Sequence, residues 1–360
     1  MDPKAINHFP DVRRVLIYRL GSLGDTAVAL PALHQVAKAF PNAKRMMLTN
    51  KPVHAKAPAA SAVLGDSGLV HGYLSYPVGT RNVRELLGLW WRIRRFRPEW
   101  VIYLTKYRGD RELRRDETFF RLCGVSNIAG VPRGELSTPQ YLPQTGLWER
   151  EGARLLRCIS HLGEAAIDDL SLWDMRLTPA ETAKASDVLA LLQGAPFLAC
   201  GPGTKAQAKD WGEENWRALL ESLSSRLPGA GLVMIGAKED GPVSDIASAG
   251  WNGPVLNLCG ALSPRETAAV LQHAKCFIGP DSGPMHLAAA YGVPCVIAFA
   301  SRTRPGIWFP IGEGHRILYK ELECSNCDLE VCVERQRKCL TSISVEEMLQ
   351  AILAVWPTRN

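Results

Sequence analysis

Residues 18–33 of this 360-residue chain read Tyr-Arg-Leu-Gly-Ser-Leu-Gly-Asp-Thr-Ala-Val-Ala-Leu-Pro-Ala-Leu. An apolar strand ending at Tyr18 runs into a turn holding Gly21, Ser22 and Gly24, and Asp25 stands where the next helix should begin. Glycines let the backbone turn sharply and let a ligand approach it closely. A carboxylate held in such a turn can act as a general base. The alternative is an acid that caps free N–H groups and gains from the helix dipole.

Three segments of the second half carry complementary chemistry. Residues 276–294 read Cys-Phe-Ile-Gly-Pro-Asp-Ser-Gly-Pro-Met-His-Leu-Ala-Ala-Ala-Tyr-Gly-Val-Pro. A strand ends at Gly279, Asp281-Ser282-Gly283 make the turn, and Pro284 suits the first helical position, where its missing N–H costs nothing. The amides of such a helix start form a diphosphate cradle, flanked by Asp281 and His286. In Cys200-Gly-Pro-Gly-Thr-Lys-Ala-Gln-Ala-Lys-Asp-Trp211, Thr204 offers a hydroxyl, and Lys205 and Lys209 offer ammonium groups for phosphate. In Gly236-Ala-Lys-Glu-Asp240, Glu239 or Asp240 could take sugar hydroxyls, as acids at strand ends do for ribose. The chain has no Asp-x-Asp pair of the kind that holds a nucleotide diphosphate through a divalent cation. Lysines and helix dipoles could stabilise the leaving diphosphate directly, so a metal-independent site with no required cofactor is expected.

These loops need strands and helices behind them. The first half alternates strand-like Val15–Tyr18, 45–49 and 100–104 with helix-like 27–40 and 83–96, the last showing apolar residues at helical spacing. The pattern restarts near Leu177-Thr178-Pro179, with a helix through Leu192, strands at 196–200, 232–235, 255–258, 276–278 and 295–299, and helices between them. Alternation of this kind implies parallel sheets covered by helices. The expected fold is α/β, with two Rossmann-like domains facing a central cleft: 1–176, 177–343, and a C-terminal helix within 344–360 packing back toward the first domain. This is the glycosyltransferase-B architecture, which other two-domain proteins share. Such sheets bind ligands at the carboxyl ends of their strands.

Net charge is +6 and unevenly placed. Residues 81–115 hold eleven Lys and Arg against four acids, a local +7, so the remaining residues sum to −1. One basic patch is an electrostatic address for an anionic partner. Arg81, Arg84, Lys106 and Arg108, with Gly21, Ser22 and Gly24 of the turn, are the expected acceptor-binding residues. The N-terminal stretch lacks the apolar core of a signal peptide, and no apolar run reaches membrane-spanning length. A cytoplasmic protein is expected. Ten cysteines then read as reduced thiols or metal ligands rather than a disulfide framework. Cys324, Cys327, Cys332 and Cys339, spaced C-x2-C-x4-C-x6-C, could hold a structural zinc or iron. Cys200, Cys259, Cys276 and Cys295 lie in apolar strand patterns and read as core.

The segments LGSLGDTAVALPAL, GTKAQAKDW and PRETAAVLQHAKCFIGPDSGPMHLAAAYGVP, with the late Cys-x-x-Cys, resemble the lipopolysaccharide heptosyltransferases of glycosyltransferase family 9. The resemblance spans nearly the whole chain in the expected order. It implies inverting transfer from an ADP-activated heptose to a lipid A-linked core sugar, by a protein peripheral at the cytoplasmic face of the inner membrane. On this resemblance Asp25 is the base that deprotonates the acceptor. Thr204 and Lys209 are diphosphate ligands, and Asp281, Ser282 and Gly283 form the donor loop. Lys205, Glu239 and His286 complete the expected donor set. The family often carries an Asp-Leu pair after the strand at 100–104, where this chain has Tyr103-Leu104-Thr105, and a Gly-Pro-Thr after 295–299, where it has Ala300-Ser-Arg.

Two other classes are consistent with parts of the sequence. A dinucleotide oxidoreductase fits paired Rossmann units, but the first turn is G-x-x-G rather than G-x-G-x-x-G, and the second strand ends Leu48-Thr49-Asn50 without an acid. A non-catalytic binder of nucleic acid or membrane surface would use the basic segment 81–115. For a transferase, no nucleic-acid partner is expected.

Overall fold

The computed structural model describes residues 8–52 and 56–356. The chain divides into two compact units, 1–53 with 58–176, and 54–57 with 177–360. The outermost residues of both, and the last four of the C-terminal range, lie outside the described residues.

In the first unit, β1 (Arg14–Tyr18), α1 (Leu23–Ala27), α2 (Leu30–Ala39), β2 (Lys44–Asn50), α3 (Ala60–Leu64), β3 (Tyr73–Tyr76), α4 (Val83–Phe96), β4 (Trp100–Tyr103), α5 (Asp110–Leu122) and β5 (Asn127–Ala129) build a five-stranded sheet. Its order is β3-β2-β1-β4-β5, and every pairing is parallel. A small antiparallel hairpin, β6 (Tyr141–Leu142) and β7 (Leu147–Trp148), and α6 (Glu151–Cys158) follow. Strands buried on both faces read as unbroken apolar runs, as Val15-Leu16-Ile17 does, fully buried. One helix was expected across 27–40; two are found. Pro31 has no N–H to give the preceding turn and disfavours helical geometry before it, so α1 ends at Ala27 and α2 starts afresh at Leu30.

The second unit repeats the plan. Its elements are α7 (Pro179–Leu189), β8 (Phe197–Cys200), α8 (Glu213–Arg226), β9 (Gly231–Met234), α9 (Gly241–Ser248), β10 (Val255–Asn257), α10 (Pro264–Leu271), β11 (Cys276–Pro280), α11 (Gly283–Ala290), β12 (Cys295–Phe299), β13 (Arg316–Tyr319), α12 (Lys338–Thr341) and α13 (Val345–Val355). The six strands run β10-β9-β8-β11-β12-β13, all parallel. Capping boxes start α7 at Thr178 with Glu181, α10 at Ser263 with Glu266, and α13 at Ser344 with Glu347.

The C-terminal helix, expected to return toward the first domain, is instead part of the second unit. Leu340, Ile343, Met348, Leu349 and Ile352 join Leu198, Leu219, Leu232 and Val296 in one buried cluster. An apolar stripe needs a partner surface, and α8 with β11–β13 supplies it.

Strand order locates the binding edges. Open parallel sheets take ligands where neighbouring strand connections leave in opposite directions. That point lies between β1 and β4 in the first sheet, and between β8 and β11 in the second. The Gly21–Asp25 turn follows β1. The Gly201–Lys209 loop and the Asp281–Gly283 turn follow β8 and β11.

Candidate active site

Asp25 is the third residue of α1, with Ser22 as N-cap. The Ser22 amide donates to Asp25 Oδ2 at 2.9 Å, and the Ser22 hydroxyl lies 3.4 Å from the same oxygen. One oxygen of this acid caps the helix, while Oδ1 accepts no hydrogen bond among the described residues. Gly21 has φ 138°, and a Cβ there would stand 2.1 Å from Asp25 Cβ. Only glycine allows the turn to fold this tightly against the carboxylate.

Two residues that the sequence did not single out hold the turn. Asn50, the last residue of β2, accepts the Gly21 amide on its side-chain oxygen at 2.7 Å. Arg19 is buried; it donates to the Leu104 carbonyl at 2.6 Å and to the Asp25 carbonyl through Nε at 3.0 Å. Its guanidinium lies 3.8 Å from Glu151, which also receives Arg154 through two 2.7 Å bonds. Burial lowers the Arg19 pKa, against the pull of Asp25 and Glu151.

The expected acceptor residues separate. Arg108 points inward, giving one nitrogen to buried Asp116 at 2.5 Å and to the Tyr18 hydroxyl at 3.2 Å. Burial alone would lower its pKa, but Tyr18, Tyr103 and Asp116 hold it above the ordinary value. Tyr18 in turn bonds Tyr76 at 2.7 Å, and burial pushes its phenol up. Arg108 is thus an internal tie. Lys106 is exposed just beyond β4. Arg81 and Arg84 are exposed at the start of α4 and make no hydrogen bond or ion pair to the Gly21–Asp25 turn among the described residues.

On the second unit, Asp281 is 3% exposed and its Oδ2 lies 2.7 Å from Lys209 Nζ. Ser282 caps α11 in extended geometry, and its hydroxyl is buried without a protein partner among the described residues. A buried hydroxyl without a protein partner, at the start of a helix whose first-turn amides have no intrahelical acceptor, can meet an acceptor atom. His286, one turn on, is buried against Trp308 with rings 6.3 Å apart. Thr204 is half-buried at the loop, and Lys205 points to solvent. Of the two lysines, only Lys209 is drawn to the aspartate.

The two acids after β9 are placed differently. Glu239 is exposed, while Asp240 is buried, accepts the Ala237 amide at 2.9 Å and pairs with Lys56. It faces the β8 loop so closely that a Cβ on Gly203 would stand 2.3 Å from its carboxyl carbon.

The four late cysteines do not assemble. Among the described residues no three His, Cys, Asp or Glu are grouped to hold a metal ion, and all ten cysteines are free. Their connection serves another end. Cys332 donates its amide to Gln207, Glu330 accepts the Ala208 amide, and Arg337 pairs with Asp210 at 2.7 Å. The connection thus clamps the short turn that carries Lys209. Burial pushes the Cys276 thiol up to about 12 and Cys259 up to about 11, which removes them as nucleophiles at neutral pH.

Residues 162–338 match the family described as glycosyltransferase family 9 (heptosyltransferase). Lipopolysaccharide heptosyltransferase 1 of Pseudomonas aeruginosa is 26% identical over 340 residues, covering 89% of this chain and 87% of that protein. Among solved structures, a family 9 glycosyl transferase of Veillonella parvula superposes with TM-score 0.71 at 16% identity, covering 96% of this chain and 97% of its own. Escherichia coli ADP-heptose lps heptosyltransferase II gives 0.68 at 16% identity, covering 95% and 98%. An Escherichia coli heptosyltransferase solved with ADP gives 0.61 at 17%, covering 95% and 99%.

Proposed function

We propose, from the premise that this chain belongs to glycosyltransferase family 9 and is a glycosyltransferase of the GT-B fold, that it moves a heptose from ADP-heptose onto an anionic lipopolysaccharide-core acceptor. The observation that carries this reading is the turn after β11, where Lys209, Asp281 and the Ser282 hydroxyl, without a partner among the described residues, meet at the start of α11. Anions bind where helix amides and a cation meet.

The residues divide the displacement between them. Asp25 takes the proton of the acceptor hydroxyl on its uncapped oxygen. The acceptor oxygen then bonds to the anomeric carbon as the bond from that carbon to the diphosphate breaks, inverting the centre. The electron pair leaves on the diphosphate oxygen, where the Lys209 ammonium and the Ser282–Gly283 amides meet the developing charge. This assigns the leaving-group role to protein cations and a helix dipole, so no divalent ion has a step to perform. Asp240 takes sugar hydroxyls of the donor nucleotide, Thr204 lies along the diphosphate, and Lys106 faces the acceptor. Family membership sets aside the dinucleotide oxidoreductase and the non-catalytic binder.

No helix of the described residues is long and apolar enough to cross a membrane. A lipid-linked acceptor would bring this protein to the inner face of the inner membrane as a peripheral enzyme.

The test has two arms. ADP-heptose should raise the unfolding temperature more than UDP- or GDP-sugars do. Asp25→Asn should lose about 10²- to 10⁴-fold in transfer to a deacylated core acceptor, the range for removal of a general base, while keeping donor protection. Full turnover in that variant refutes the assigned base, and equal protection by all nucleotide sugars refutes the donor.

A further inference from the structure

The outward face of α4 is not made for water. Val83, Leu87 and Trp91 follow at four-residue intervals, which places them on one side of the helix. They are 66%, 58% and 56% exposed. The opposite side is satisfied, since Leu89 and Ile93 are buried in the core of the first unit. The apolar stripe is therefore additional to what the fold needs.

The charge around this stripe is mostly of one sign. Arg81, Arg84, Arg92, Arg94, Arg95 and Arg97 are all exposed. The one acid between residues 78 and 97 is Glu85, which is engaged by the Thr80 hydroxyl at 2.8 Å. Arg95 rests over the Trp91 ring at 5.5 Å. Beside the stripe opens a hollow of about 330 Å³, bounded by Lys51, Tyr76, Glu85, Trp91 and Arg92.

We propose that this face of α4 seats the protein on an anionic lipid bilayer. Val83, Leu87 and Trp91 enter the boundary between headgroups and acyl chains, and the arginines extend to lipid phosphates. A helix with Trp and Leu on one side and arginines along its flanks is the form that lies in a membrane interface. The long arginine stems can lie on apolar surface while their heads stay among the phosphates. A second copy of this chain does not suit the face, because six arginines would meet six arginines. A nucleic acid would answer the arginines and leave the three apolar side chains in water. The proposal rests on the heptosyltransferase reading only in that a lipid-linked acceptor gives the seat a purpose, and it moves Arg81 and Arg84 from the acceptor sugar to the surface that carries it.

The test is co-sedimentation of the full chain with vesicles of phosphatidylcholine alone and with about one third phosphatidylglycerol. The parent should bind the mixed vesicles and not the neutral ones, and binding should fall steeply with salt. Leu87→Gln with Trp91→Gln should weaken it about tenfold or more at unchanged unfolding temperature. Arg92→Gln with Arg95→Gln should weaken it and flatten the salt dependence. Val83→Gln with Leu87→Gln should keep turnover on a deacylated acceptor and lose it on acceptor embedded in mixed vesicles. The proposal is overturned if the apolar variants sediment like the parent. It is equally overturned if the parent ignores mixed vesicles, or if it prefers a DNA duplex with affinity indifferent to Leu87 and Trp91. Vesicle binding is read without donor, so absence of heptosyl transfer would sink the enzymatic reading and leave this one standing.

Discussion

Gly21 and Asp25 occupy nearly the same space: a methyl group on the first would overlap the second at 2.1 Å. The turn also needs φ 138° at Gly21, a region that L side chains rarely adopt. The acid is thus fixed by the absence of an atom four residues earlier.

Gly21→Ala is therefore expected to cost transfer at least as much as loss of Asp25 itself, because the carboxylate must move. Steady-state turnover beside Asp25→Asn checks this. The donor arm of the thermal-shift assay should be unchanged, since every donor group named lies on the other unit.

Asn50→Ala leaves the Gly21 amide without its partner. A lost hydrogen bond of this kind is worth about 1 kcal/mol, and more if the amide stays dry. Turnover should fall about tenfold with no change in donor affinity, and Asn50→Asp, which keeps an acceptor oxygen in place, should recover most of it. Kinetics on the two variants decide between a positioning role and a merely structural one.

Glu151 is 4% exposed between Arg19 and Arg154. Glu151→Ala strands two buried guanidinium groups, and breaking a buried pair in this way costs about 3–5 kcal/mol. Urea unfolding should show that loss in the first unit. Glu151→Gln keeps hydrogen bonding and should lose less.

The paired acids after β9 make a sharper comparison. Asp240→Asn should weaken ADP protection about tenfold, because it removes a charge-assisted acceptor at the loop. Glu239→Gln should leave protection within error, since that side chain is exposed.

His34 sets a pH dependence. Burial lowers its pKa, and its ring lies 2.8 Å from the Asp174 carbonyl. The unfolded chain then binds protons more readily than the folded one, so stability is full above about pH 6.5 and falls as pH drops through the lowered value. His34→Gln, which can still donate to the carbonyl, should flatten that acid slope. His71 and His161 are lowered by burial as well and should retain part of it.

The alternation of strands and helices was readable because parallel strands are apolar throughout and helices repeat at 3.6 residues. The strongest case is α4, read at 83–96 and found there, started by the Asn82 side chain accepting the Arg84 amide. Asp25, Asp281 and Ser282 stood out in the sequence because each follows a strand beside glycine or proline, and Lys209 because its ammonium lies in a loop between a strand and a helix. Arg19 and Glu151 could not, because they meet across more than a hundred residues and look like ordinary surface charges in the text. Glu239 and Asp240 could not be told apart for want of the one thing sequence lacks, the rotation of a short turn about its strand. The cysteine spacing says nothing of backbone direction. Asn326, Asp328, Gln336 and Arg337 all adopt positive φ, and these bends aim the segment's amides and Arg337 at the Lys209 turn.

The burial of Leu340, Met348 and Ile352 among strands begun some hundred and fifty residues earlier has a consequence for synthesis. The first unit can close its sheet while the ribosome is still translating the second. The second must wait, its apolar sheet face uncovered, until α13 emerges to roof it. A nascent chain stalled before that helix would carry a finished first unit and a second whose core is still open.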